Sequence, residues 1–263
     1  MTARNFEYDL AFAHRLADAA GAAIIPHFRK SLRVENKLDG GFDPVTIADR
    51  AAETVMRQLI SDERPDDGVL GEEFPPVESR NGWSWTLDPI DGTRGFIAGT
   101  PTWTVLIALT YQNQPVLGLI AQPYIGERFS GYENASELMT RTERRKLTVS
   151  TVTALDKAIL VTTDAYLFAG REAEQFCAVR EAARLTRYGM DGYGYGLLAM
   201  GNVDLVIESG LAPYDLHALI PVVRAAGGII TNWHGQDNFD DGAVVAASTP
   251  QLHAQAIATL ESI

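Results

Sequence analysis

The sequence predicts a layered α/β fold in two closely joined halves. Two helical periodicities followed by strand-like runs fill the first half, and strands and helices alternate along the second, which calls for sheets with helices packed on them. Of the 263 residues, 46% are hydrophobic, enough for a large core. The stretch from Gly95 to Gly126 carries no formal charge, yet Thr, Gln, Asn and Pro interrupt it throughout. It therefore reads as deeply buried sheet and not as a membrane span.

The elements follow in chain order. YDLAFAHRLADAAGAAIIPHFR sets Leu10, Ala13, Leu16, Ala17, Ala20 and Ile24 at helical spacing. NKLDGGFDP is a loop by its Gly, Asp and Pro content. VTIADRAAETVMRQLISDE repeats the helical spacing with Ala48, Ala52, Val55, Met56 and Leu59, and Thr46 is suited to cap it. GVLGEEF is a short strand ending in acids, and WSWTL is another, ending at Asp88. TWTVLIALTY and PVLGLIAQPY flank QNQ as a buried hairpin. SELMTRTERRKLTVST is charged and lacks strong periodicity, and is expected to connect the halves, 1–145 and 146–263. Beyond it, KAILVTT, RLTRYG, VDLVIES and GIITNW read as strands. GREAEQFCAVREAA, YGLLAMG and LHALIPVVRAAGG read as helices, the last stopped by Gly227-Gly228. Pro221 within that last helix should remove a backbone bond and bend it.

Composition narrows the function. Asp and Glu number 34 against 22 Lys and Arg, a net charge of -12, which would repel nucleic acid. A small anionic substrate stays compatible if cations bridge it to the protein. The single cysteine, Cys177, allows no disulfide framework or cysteine zinc site within one chain, and a reducing, cytoplasmic compartment is the simplest reading. MTARNFEYDLAFAHRLADAAG carries charge throughout and has no apolar signal core. No membrane association is expected.

Four acids fall at element ends: Glu72, Asp88, Asp91 and Asp215. Singly, each suits a solvated loop, a turn or the favourable end of a helix dipole. Together they ask for a cation. Asp88 and Asp91 flank Pro89, which fixes the backbone so that both carboxylates can converge. Acids that close repel unless a cation compensates, and hard oxygen ligands favour Mg²⁺ or Mn²⁺ over zinc. Gly92-Thr93 follows and could open a helix, offering backbone N–H groups to an anion. Metal beside amide donors describes a phosphate-ester site. Rival machinery is absent: no GxxxxGK[ST] loop, no D-x-D nucleophile, no GxSxG, no HExxH. GYGLLA from Gly194 loosely fits GxGxxA, but no acid follows at the distance a dinucleotide site needs.

GEE, then WTLDPIDGTRGF, then APYDLHALIPVVRAAGG resemble, in the right order, the inositol-monophosphatase-like family of Mg²⁺-dependent, lithium-sensitive phosphatases. DGTRGFIAGTPTWTVLIAL and ESGLAPYDLHALIPVVRAAGG look most like its histidinol-phosphate phosphatase branch. The resemblance implies a layered αβαβα sandwich of the inositol-monophosphatase/fructose-bisphosphatase type, assembled as a homodimer. It implies metal ligands at Glu72, Asp88, Asp91, Asp215 and the carbonyl of Ile90, for two or three Mg²⁺ ions with Mn²⁺ as the alternative. Gly92 and Thr93 resemble the phosphate-binding turn. Asp49, in DPVTIAD, is similar to the acid that works with Thr93 and Glu72 on the attacking water, although Thr46-x-x-Asp49 also reads as a near capping box. Glu208, Asp191 and Arg94 would meet the substrate, alongside Asp91 and Asp215. YGMDGYGYG departs from the branch's pattern, with Met190 for a Gly and Gly192 for a Cys. Lys37 resembles a loop lysine near the metals. The implied reaction is hydrolysis of a phosphate monoester by a metal-activated water attacking phosphorus in line, with histidinol phosphate as the first substrate. Inositol monophosphate, a 3′(2′),5′-bisphosphate nucleotide or a sugar phosphate are the alternatives, and a non-catalytic metal-binding scaffold is the rival of another class.

Overall fold

The computed structural model describes residues 4–30, 34–36 and 44–263. Lys37 and most of NKLDGGFDP lie outside them. The chain opens with α1 (Phe6–Ile24), capped by the Asn5 side chain. A two-stranded ribbon, β1 (Val34–Asn36) and β2 (Pro44–Thr46), leads into α2 (Ile47–Glu63). Thr46 caps α2 as expected, and Asp49 closes the capping box from inside the helix.

The first sheet has seven strands in order of sequence: β3 (Gly68–Gly71), β4 (Trp83–Asp91), β5 (Thr104–Tyr111), β6 (Gln114–Gln122), β7 (Glu127–Tyr132), β8 (Ala135–Met139) and β9 (Arg144–Lys146). A short helix, α3 (Thr93–Ala98), separates β4 from β5. The charged segment expected to connect the halves instead supplies most of β8 and all of β9, so the chain leaves the sheet only after Lys146. Its charges suit an edge: all three β9 residues are exposed and basic, which discourages pairing with another chain.

The second sheet runs β11-β10-β12-β14-β13. Its strands are β10 (Ile159–Thr162), β11 (Leu185–Tyr188), β12 (Leu205–Glu208), β13 (Ile229–Thr231) and β14 (Val244–Ala247). Helices α4 (Arg171–Ala182), α5 (Asp191–Ala199), α6 (Pro213–Leu216), α7 (Leu219–Ala225) and α8 (Pro250–Glu261) alternate with them. Neither β14 nor α8 was apparent in the sequence.

Three apolar clusters hold five layers together, the middle one spanning both sheets and the helices between them. Helices α1 and α2 bury Phe12, Leu16, Met56 and Ile60 against one face of the first sheet, where Trp85, Ile107 and Leu109 point. Its other face, with Leu106, Ala108 and Ile120, meets α5 and α7 and, beyond them, Val161 and Val206 of the second sheet. Helices α4 and α8 close the far side with Phe176, Leu252 and Leu260 against Leu160 and Leu205. Strand β5 is thus buried on both faces, which is why its sequence is apolar without alternation. The expected αβαβα sandwich is the observed architecture.

The helix expected over LHALIPVVRAAGG is broken. Helix α6 ends at Leu216 and α7 restarts at Leu219, so Pro221 occupies the first turn of α7. His217 and Ala218, between the two, keep right-handed helical dihedrals, so the interruption falls at the carbonyl four residues before Pro221, whose helical bond the proline cannot make. Helix α7 lies directly on the first sheet at Gly118 and Gly131, which face each other across β6 and β7. A Cβ on Gly118 would come within 2.0 Å of the Ala218 carbonyl oxygen, and one on Gly131 within 2.5 Å of that of Pro221.

Candidate active site

Strand β4 does not stop at Asp88 as expected; it continues to Asp91 through an irregularity. Asp88 opposes Leu106 and Asp91 opposes Thr104, so three steps on β4 match two on β5. In a regular strand, residues three apart point to opposite faces. The extra residue resets the alternation and turns both carboxylates to one side. Pro89 lies in this bulge, where a missing N–H is tolerated.

Asp215, in α6, is brought to the same point. Carboxylate oxygens of Asp88, Asp91 and Asp215 all lie within 4.8 Å of one another. Asp215 is held by the Ala212 N–H, which donates to its Oδ2 at 2.7 Å. Asp91 Oδ2 accepts from the Gly192 N–H at 2.7 Å and the Thr104 hydroxyl at 2.9 Å. Asp88 is 2% exposed, and its Oδ1 is buried with no hydrogen-bond partner among the described residues. Behind the pair, the Thr86 hydroxyl and His217 Nδ1 lie 3.0 Å apart, tying β4 to the chain just past Asp215.

The electrostatics are those of acids lacking a counter-charge. Burial, then the charges of Glu72, Asp91 and Asp215, hold the Asp88 carboxyl well above the usual carboxylate range. Asp91 is raised likewise by burial and by Asp191 and Asp215. Burial pushes Asp215 up to about 7. A hard divalent cation would satisfy the orphaned Asp88 oxygen and relieve this repulsion, so the donor set fits Mg²⁺. Glu72, in the bend after β3, is not one of the three clustered acids, but its charge acts on Asp49, Asp88 and Asp215.

Asp49 is 1% exposed; the Thr46 N–H and hydroxyl donate to its Oδ2, and its Oδ1 is buried without a hydrogen-bond partner among the described residues. Burial pushes it up to about 6. The capping box and the free oxygen coexist, so neither sequence reading of Asp49 displaces the other. Gly92 has φ 79° and caps α3, which begins at Thr93. The Thr93 hydroxyl donates to the Ile90 carbonyl at 3.0 Å, linking two residues assigned to this point.

Two of the residues expected to meet the substrate, Asp191 and Glu208, form a second acidic group. Asp191 lies over Gly92, where a Cβ would come within 2.9 Å of its Cγ. It has φ 45°, a left-handed conformation rare outside glycine, and burial pushes it up to about 6. It is the first residue of α5, which starts four residues earlier than the expected YGLLAMG helix. Gly192, where the branch pattern has Cys, sits so close that a Cβ would be 2.7 Å from Asp91 Oδ2. Glu208 is not an exposed strand-end acid: it is 1% exposed, its Oε1 accepts from the Thr163 N–H at 2.7 Å, and burial pushes it up to about 8. Arg94 is exposed and turns its guanidinium to Asp164 at 3.6 Å. Sequence reasoning missed Thr104, the Gly192 and Thr163 amides and Asp164.

Comparison with known proteins gives the family. The model of the inositol monophosphatase family matches residues 5–263. The chain is 40% identical over 262 residues to a bifunctional phosphatase, chloroplastic, of Arabidopsis thaliana, covering 95% of this chain and 74% of that protein. It is 35% identical over 253 residues to a histidinol-phosphatase of Chlorobaculum parvum, covering 96% of each. Among solved structures, an inositol monophosphatase from Zymomonas mobilis superposes with a TM-score of 0.86 at 40% identity, covering 98% of this chain and 99% of that one. Among the described residues, no helix is long and apolar enough to cross a membrane. The chain belongs to the inositol monophosphatase family and is a phosphatase, a hydrolase of phosphoric monoesters.

Proposed function

We propose that the chain is a Mg²⁺-dependent histidinol-phosphate phosphatase. The observation that carries the metal is the convergence of Asp88, Asp91 and Asp215 around an unpartnered buried oxygen. The observation that favours histidinol phosphate is the acidic character of the substrate end, where Asp191, Asp164 and Glu208 gather beside Arg94. An amine and an imidazole suit this end, Asp191 acting through charge and Glu208, which burial keeps protonated near neutral pH, through hydrogen bonding. Similarity to a histidinol-phosphatase supports the same reading. Inositol hydroxyls would also find acceptors in these acids, and similarity to a solved inositol monophosphatase keeps that substrate as the second reading.

Asp88, Asp91, Asp215, Glu72 and the Ile90 carbonyl would hold the ions, which when bound neutralise the phosphate and make water nucleophilic near neutral pH. The chain's own groups do the rest. Thr93 and Asp49 orient the attacking water, and the free Asp49 Oδ1 is the atom suited to take its proton. Gly92 and Thr93 present backbone N–H groups to the phosphate. Asp191, with Glu208 behind it, faces the organic part. The assembly is proposed as a homodimer in a reducing, cytoplasmic compartment, supported by family resemblance and the single Cys177.

The test is phosphate release from histidinol phosphate, inositol 1-phosphate and a 3′,5′-bisphosphate nucleotide, each with Mg²⁺ and with chelator. Preference for histidinol phosphate with restoration by Mg²⁺ is expected. Turnover that ignores chelator would overturn the metal scheme, and preference for another substrate would overturn the specificity.

A further inference from the structure

Glu72 sits in a bend that neither sheet fixes. Strand β3 ends at Gly71, and the backbone groups from Glu73 to Pro75 need partners elsewhere. Helix α2 supplies them. Glu53 is 0% exposed and accepts the Glu73 N–H on Oε2 at 2.7 Å. Its Oε1 accepts from Arg57 Nε at 2.7 Å, one helical turn on. Arg57 then donates to the Phe74 carbonyl at 2.9 Å and the Pro75 carbonyl at 3.0 Å. Arg50, on the same helix, approaches the Glu73 carboxylate at 3.8 Å. Gly71 lets the clamp close: a Cβ there would lie 2.0 Å from Glu53 Oε1 and 2.9 Å from an Arg57 terminal nitrogen.

A buried carboxylate is expensive unless paired and bonded, and Glu53 is both. Both its oxygens are committed to holding this bend. Asp49 lies one turn earlier on the same helix, and Glu72 acts on its charge. One rigid element therefore carries an acid of the attack side and grips the bend that bears Glu72. We propose that Glu53, locked by Arg57, is a positioning residue that sets Glu72 against Asp49 and Asp88 and so tunes metal affinity. This rests on the Mg²⁺-phosphatase reading. Glu53 itself touches neither metal nor substrate.

Calorimetric titration with Mg²⁺ alone, together with thermal denaturation in chelator and in Mg²⁺, tests it on the full chain. Glu53→Gln keeps the shape but cannot accept from both the Glu73 N–H and Arg57. The expected result is a Mg²⁺ dissociation constant raised by about tenfold or more, within the range for residues that support metal ligands. The rise in Tm on adding Mg²⁺ should shrink, while a purely structural role would lower Tm equally with and without metal. Arg57→Lys, which keeps the charge but loses the fork, should act in the same direction, and decides the matter if Glu53→Gln does not fold. Mg²⁺ affinity within about twofold of wild type in the folded variant overturns the proposal. A wild-type protein that binds Mg²⁺ yet releases phosphate from no monoester would sink the proposed function instead, leaving calorimetry to judge the clamp.

Discussion

Asp91 carries the most at the scale of single residues. It joins the acidic cluster and takes two donors on one oxygen, so its orientation is set before any ligand arrives. Asp91→Asn keeps the shape and removes the charge. Phosphate release with saturating Mg²⁺ should fall by more than about 100-fold, beyond the range for supporting groups. Survival at near wild-type rate would contradict the scheme. Thr104→Val leaves Asp91 with the Gly192 amide alone; Mg²⁺ affinity or turnover should fall about 10–100-fold with the fold intact, read from the Mg²⁺ dependence of phosphate release. The acids were legible in the sequence because metal chemistry restricts the residue type. Thr104 was not, because it looks like any polar interruption of an apolar run until strand pairing sets it opposite Asp91. The amides of Gly192 and Thr163 left no side-chain signature at all.

At the scale of elements, the site depends on how α6 and α7 sit on the first sheet. Gly118 and Gly131 remove the side chains that would hold the helix backbone away, and Ala218, resting on Gly118, is three residues past Asp215. Gly118→Ala should cost about 1–3 kcal/mol by overpacking against backbone, which cannot swing aside as a side chain can. The predicted drop in Tm is about 2–4 °C per kcal/mol, read by thermal denaturation. Mg²⁺ affinity should weaken too, as Asp215 moves with the helix. Most elements could be read from period and capping: Thr46 starts α2, and the Gly227 and Gly228 amides return to Arg224 and Val223 to end α7. The lost bond expected at Pro221 appears as the break at His217 and Ala218, within the turn whose hydrogen bond proline removes. One reading failed for a physical reason. The charged run over 136–151 was judged a connection because edge strands, with few buried side chains, lack the apolar alternation that marks inner ones.

Across the whole molecule, the acids come from distant stretches of the chain, Asp88 and Asp91 from β4 of the first sheet, Asp191 from α5 and Asp215 from α6. Without metal, their repulsion opposes the packing that joins the layers. The sign of the resulting pH dependence follows from proton counts. Folded Asp215 titrates near 7 and Glu208 near 8, both raised by burial, against about 4 for unfolded carboxyls. Over that interval the folded chain holds protons the unfolded chain has released, so their stabilisation is complete below about 4 and is lost as pH rises through about 7 and 8. Burial lowers His14 and His217 to about 4 and His253 in the same direction, and these oppose the trend up to about pH 6.5, where unfolded histidine titrates. Above it the acids act alone. Thermal denaturation in chelator should show Tm falling by at least about 2 °C between roughly pH 6.5 and 8, the shift expected for about 1 kcal/mol in a chain of this size. With saturating Mg²⁺ the ionised carboxylates become the favoured form, so the decline should shrink and the metal's stabilisation should grow with pH. A Tm in chelator that stays level across this window would mean that the clustered acids are not in strained proximity, and the account of the site as a cation cage would fail.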